Sequence, residues 1–99
     1  MKVHPLGEPH QGRQSYRFVC PGCAQYDETG STFHATHVFD SSWTYNGDGD
    51  RPTVSPSILV TGHDGKRCHS FVREGRIEFL SDCTHALAGQ TVDLPEAEP

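Results

Sequence analysis

His69-Ser70-Phe71-Val72-Arg73-Glu74-Gly75-Arg76-Ile77-Glu78-Phe79-Leu80 reads as two short strands flanking a two-residue turn. Glu74-Gly75 suits such a turn, and a turn of that length sets Val72 opposite Ile77 and Ser70 opposite Phe79. Side chains alternate along a strand. Cys68, Ser70 and Val72 therefore share one face with Ile77, Phe79 and Ser81, while His69 and Glu78 lie exposed on the other. An extended continuation of the second strand carries Cys83 onto the face of Cys68, so that two sulfurs meet at the open end of one hairpin.

The rest of the chain gives the same kind of signal. Helical periodicity is almost absent, and ten glycines and seven prolines cut the 99 residues into short pieces. The expected fold is mainly β: a small antiparallel domain with at most one short helical turn, near 84–88. Ser15 to Val19 reads as a strand that ends in Cys20-Pro21-Gly22-Cys23, and Asp27 to Ser31 as a loop. From Thr32 to Phe39, Phe33, Ala35, His37 and Phe39 alternate with His34, Thr36 and Val38. Trp43 and Tyr45 begin a further strand, broken by the turn-forming run Asn46-Gly47-Asp48-Gly49-Asp50. Pro52 and Pro56 keep Thr53 to Ser57 extended ahead of Ile58-Leu59-Val60. Thr91 to Leu94 reads as a last strand. One domain is expected over 15–94, with 1–14 as an N-terminal extension and 95–99 as a disordered tail.

Only 33% of the residues are hydrophobic, so burial alone leaves a thin margin over chain entropy in so short a protein. Four cysteines and seven histidines suggest what adds to it, because a metal bound only by the folded chain contributes its binding free energy to stability. Without a signal-peptide pattern or an apolar run near the roughly 20 residues of a membrane span, the chain is placed in a reducing cytoplasm. There, paired cysteines read as metal ligands before disulfides. The net charge of −5 argues against general nucleic-acid binding. Lys66, Arg67, Arg73 and Arg76 are read as a solvated hairpin surface.

Cys20 and Cys23, separated by a tight turn, supply half of a tetrahedral zinc site. The first expectation for the other half is Cys68 and Cys83, with His85, His37 or His69 as alternates. No apolar helix follows Cys23, which sets aside a thioredoxin-like redox role. A structural zinc implies a binding or regulatory module, whose contact surface is placed at Asn46, Asp48, Ser55 and Ser57. The rival is a zinc-dependent hydrolase with an open metal position near His85 and Asp82, for which His69, Glu78 and Asp48 are further candidates. The sequence does not decide whether the protein is an enzyme, and the non-catalytic module is the primary expectation. His4, His10, His34 and His63 are read as surface residues, and Trp43, Phe71 and Phe79 as core.

Several blocks together resemble a small uncharacterised family of bacterial and phage or prophage proteins. They are Cys20-Pro21-Gly22-Cys23, Asn46-Gly47-Asp48, Ser55-Pro56-Ser57, Cys68-His69-Ser70-Phe71-Val72 and Asp82-Cys83-Thr84-His85-Ala86-Leu87-Ala88-Gly89-Gln90-Thr91-Val92. Some members carry an ammonia monooxygenase label that a chain without a membrane span does not fit. The resemblance implies a phage or prophage origin and, because relatives occur near ubiquitin-like conjugation genes, a host or phage protein as partner. In the family a His follows the Cys-x-x-Cys turn closely. Here His34 and His37 come only after an insertion, Tyr26 to Thr32.

Overall fold

A computed structural model describes residues 1–24, 35–62 and 65–98. The expected loop at Asp27 to Ser31, the insertion, Phe33, His34 and His63 lie outside these residues. The fold is mainly β, with two antiparallel sheets. The first joins β1 (His4–His10), β2 (Arg13–Val19) and β3 (Thr36–Asp40) in chain order. The second orders β4 (Thr44–Tyr45), β5 (Val54–Thr61), β6 (Arg67–Arg73), β7 (Arg76–Phe79) and β8 (Thr91–Asp93).

The β6–β7 hairpin has the register its turn dictates, with Arg73↔Arg76, Val72↔Ile77 and Ser70↔Phe79 as partners. Glu74 and Gly75 both have positive φ, 50° and 80°, which matches the twist of the flanking strands. Alternation then sorts the side chains. Cys68, Ser70, Val72, Ile77 and Phe79 are buried, whereas His69, Phe71 and Glu78 stand on the other face, partly open to solvent. On β3, His37 and Phe39 turn inward, as does Ala35 just before it, and Thr36 and Val38 turn outward. The buried faces of both sheets contribute to one cluster, Phe18, Phe39 and Val3 from the first and Val54, Ile58, Val72, Ile77 and Phe79 from the second.

Two expectations change. Residues 1–14 are no extension, since β1 pairs along β2 and Val3 is only 1% exposed. Residues 95–98 are packed rather than loose: Ala97 is buried, its amide donates to the Met1 carbonyl at 3.1 Å, and Glu96 lies 2.9 Å from the N-terminal ammonium. Residues 84–88 form successive turns, within the expected limit of at most one short helical turn, closed by Ala88 N–H to the His85 carbonyl at 3.3 Å and Gln90 N–H to the Leu87 carbonyl at 3.0 Å.

Candidate active site and metal centre

The second sheet carries different chemistry on its two faces, and β6 is where they meet. Its consecutive residues Cys68 and His69 point to opposite sides.

On the inner side, Cys20, Cys23, Cys68 and His85 place one potential ligand atom each within 4.8 Å of one another, and all four are buried. Three sulfurs and one imidazole are a donor set that zinc accepts. Cys20 Sγ and Cys68 Sγ lie 3.7 Å apart. The Cys20 thiol is held far below its ordinary range because Cys23 and then Cys68 hydrogen-bond to its sulfur, while Cys23 and Cys68 are pushed upward, chiefly by the same bonds to Cys20. Buried sulfurs crowded in this way cannot all ionise without a cation among them. Burial lowers the His85 pKa, which favours the neutral, ligand-competent ring. His85 Nε2 is buried with no hydrogen-bond partner among the described residues, and the Leu87 amide lies 3.2 Å from Nδ1; a neutral ring that ligates through Nε2 carries its proton on Nδ1 and gives up that amide contact. An orphaned buried polar atom at that place is what a metal ligand looks like before its ion is considered.

Gly22 makes the approach of His85 possible. A Cβ at Gly22 would overlap Cε1, Nε2 and Nδ1 of the His85 ring. Gly22→Ala is therefore expected to displace the imidazole and weaken metal binding about 10- to 100-fold, the usual scale for disturbing a ligand's support. Competition with a chelating dye measures this; unchanged affinity would remove His85 from the ligand set.

Cys83, the expected fourth sulfur, lies elsewhere. The strand does not continue past Phe79: the Cys83 amide closes a turn on the Leu80 carbonyl at 3.2 Å, and the extrapolated parity is lost. The Cys83 sulfur instead grips the backbone of His69. His69 N–H donates to Sγ at 3.2 Å, and the thiol donates to the His69 carbonyl at 3.2 Å. His37 is buried edge-on against Phe18 and is not among the four gathered donors.

On the outer side, His69 Nε2 is 2.9 Å from Ser57 Oγ, and His69 Nδ1 is 3.3 Å from Asp82 Oδ2. With the ring proton on Nδ1, the imidazole donates to the carboxylate and accepts from the serine hydroxyl. This is the connectivity of a Ser-His-Asp triad. Each member comes from a different piece of backbone: Ser57 from β5, His69 from β6, and Asp82 from the turn after β7. The His69 side chain is 25% exposed and that of Asp82 is 40% exposed, so the group lies on an accessible surface. Asp82 is also 3.7 Å from Arg67 Nη1, a second cation steering the carboxylate.

All three residues are candidates in the sequence, but in separate roles: Ser57 on a contact surface, His69 among the alternate ligands, and Asp82 beside a metal. Of the other contact-surface residues, Asn46 and Asp48 hold their own loop: Asn46 Oδ1 accepts from the Asp48 and Thr53 amides, and Asp48 Oδ1 from those of Asp50 and Arg51. Ser55 is exposed and pairs with Thr44. In the basic cluster, Arg67, Arg73 and Arg76 lie beside Asp82, Glu78 and Asp93 respectively. Among the described residues, no helix is long and apolar enough to cross a membrane.

Cys83 braces the backbone of His69, and that contribution is testable. Cys83→Val keeps the bulk but removes both sulfur contacts to His69, and is expected to speed hydrogen exchange of the His69 amide about fivefold, the scale of losing a hydrogen bond worth about 1 kcal/mol. Cys83→Ser can donate and accept and should retain more protection. Equal exchange in all three proteins would deny Cys83 any role in positioning.

Comparison with known proteins gives one family. The sequence profile described as bacterial ubiquitination-like system serine protease (BubE) matches residues 2–80, and the chain belongs to that family. The match includes Cys20, Cys23, Ser57, Cys68 and His69 and stops before Asp82 and His85. No curated protein and no solved structure gives a significant match.

Proposed function

We propose that this member of the family is a serine hydrolase of the protease type working in a bacterial ubiquitination-like system, with Ser57 as nucleophile, His69 as general base and acid, and Asp82 orienting the ring. The observation that carries the reading is the 2.9 Å contact between Ser57 Oγ and His69 Nε2, backed by Asp82 on the far nitrogen. The family description supports it and favours this setting over a phage accessory role.

In the first half-reaction Ser57 Oγ attacks the substrate's carbonyl carbon and its proton passes to His69 Nε2. The C–N bond then breaks, the amine leaves with that proton, and the acyl group stays on Ser57. Water attacks the acyl-serine in the second half, again giving its proton to His69, which returns it to Ser57 Oγ as the acid departs. Asp82 keeps Nδ1 protonated and stabilises the imidazolium formed in each half.

The second part of the proposal is that Cys20, Cys23, Cys68 and His85 hold a structural zinc. A bound zinc would fix the Cys20–Cys23 turn against β6 and the turn carrying His85. Cys68 adjoins His69 and His85 follows Asp82 by three residues, so the ligands brace the backbone on either side of the triad. Four protein donors fill a tetrahedron, which favours a closed site over the zinc-dependent hydrolase with an open position.

The two chemistries separate in one assay. Acyl-enzyme formation predicts a burst of nitrophenolate from p-nitrophenyl acetate, about one per protein molecule, followed by slower turnover. His69→Ala should abolish the burst while retaining metal and melting temperature, because the ring stands on the solvent side of the sheet. A linear time course that survives His69→Ala would refute the triad.

A further inference from the structure

Among the described residues, the strand that carries Ser57 has a largely open outer edge. β4 covers β5 only at Thr44↔Ser55 and Tyr45↔Val54, while on the opposite side β5 pairs with β6 as far as Thr61↔Arg67. Beyond Ser55, no described residue pairs with β5 on the β4 side.

Ladder parity shows which backbone groups that edge offers. Gly62 N–H bonds the Lys66 carbonyl at 2.8 Å, so in this antiparallel pair Val60 and Ile58 also turn their amides and carbonyls toward β6. Leu59 and Thr61 then turn theirs outward. Their partners agree: Arg67 and His69 direct their backbone groups away from β5, Arg67 to Thr84, and His69 to Leu80 and Cys83. Ser57 follows the outward set, since its carbonyl accepts from Trp43 Nε1–H at 3.4 Å.

The side chains complete the track. Leu59 is opposite His69 in the register and is 55% exposed, an apolar surface on the triad's own face. In the order β4-β5-β6, His69 flanks Ser57 on one side and the open edge lies on the other. A carbonyl arriving from the edge would meet Ser57 Oγ on the side away from its base, as proton transfer during attack requires.

We propose that the substrate is an extended peptide segment that adds to the β5 edge as an antiparallel strand and delivers its scissile carbonyl to Ser57. This deepens the serine-hydrolase reading and rests on it. The direction follows from β4, which already lies antiparallel on that side. The incoming chain runs from Thr61 toward Ser57, with the acyl half along Leu59 and Thr61. Trp43 stands directly beyond, so the leaving half turns out of the sheet. With the acyl residue opposite Ser57, the residue two positions before it lies opposite Leu59. Its backbone bonds to Leu59 and its side chain, preferably apolar, packs beside Leu59. The residue between them turns its amide away from the sheet.

The experiment uses the metal-loaded protein and a library of tetrapeptide coumarylamides, with p-nitrophenyl acetate as a substrate that needs no strand docking. The best peptide is remade with one N-methyl group, either on the residue two before the acyl residue or on the one immediately before it. The first change is expected to lower kcat/KM about tenfold or more, the second to have little effect. Equal sensitivity at both positions, or greater loss at the second, would overturn the docking. So would ester turnover through Ser57 with no peptide in the library cleaved. Failure of the ester as well would sink the triad itself and the inference with it.

Discussion

Ser57→Ala is expected to lose hydrolysis of ester and peptide by at least about 10³-fold while melting at nearly the same temperature as the parent chain. Among the described residues the hydroxyl has one hydrogen bond, at 2.9 Å to His69, and the residue is only partly buried. Removing a partly exposed hydrogen bond costs about 1 kcal/mol of stability or less, whereas losing the nucleophile raises the barrier by about 4 kcal/mol or more, at about 1.4 kcal/mol for each factor of ten. The asymmetry is diagnostic, because a residue serving only as a docking surface would change KM and leave turnover intact. Asp82→Asn should fall between, about 10²-fold, because its carboxylate is exposed and shared with Arg67. Steady-state kinetics on the three proteins, beside their melting curves, checks both statements.

Cys20→Ser is expected to release the metal and unfold the domain. Apparent binding free energies of structural zinc are about 10–16 kcal/mol at neutral pH, while the whole stability of a small domain is about 5–15 kcal/mol. Losing most of that contribution exceeds what the core can replace. The core here is modest, and Cys20, Cys23 and Cys68 are themselves among its fully buried residues. Metal content by elemental analysis, with circular dichroism of the same sample, reads the outcome. A variant that binds no metal yet melts with the parent would show that packing alone holds the two sheets together.

The hairpin, the inward face of β3 and the Cys20–Cys23 turn were legible because each is governed locally. A two-residue turn fixes register, and a period of two fixes faces. What escaped was non-local. Gly62 to Lys66 separate β5 from β6 in the sequence, too long a spacing for a two-residue turn to set the register, so nothing in the chain announced that Ser57 would stand within reach of His69. The hydroxyls and prolines around Ser57 read as a contact surface for the same reason. Cys83 was carried to the metal by extending a strand that ends at Phe79, and the turn at Leu80 had no glycine or proline to betray it. β1 was missed because it is exposed along nearly its whole length and interrupted by Pro5, Gly7 and Pro9, leaving no alternation to detect. His85 was available as an alternate ligand, but only the close approach that Gly22 permits distinguishes it from Cys83.

The most direct measurement is covalent labelling of the folded, metal-loaded protein with a fluorophosphonate, followed by peptide mass spectrometry to locate the adduct. An activated serine is phosphonylated, and the adduct should fall on Ser57 alone and vanish in His69→Ala. Unlabelled Ser57 in protein that is intact and carries its metal, or an adduct on another serine, would contradict the account.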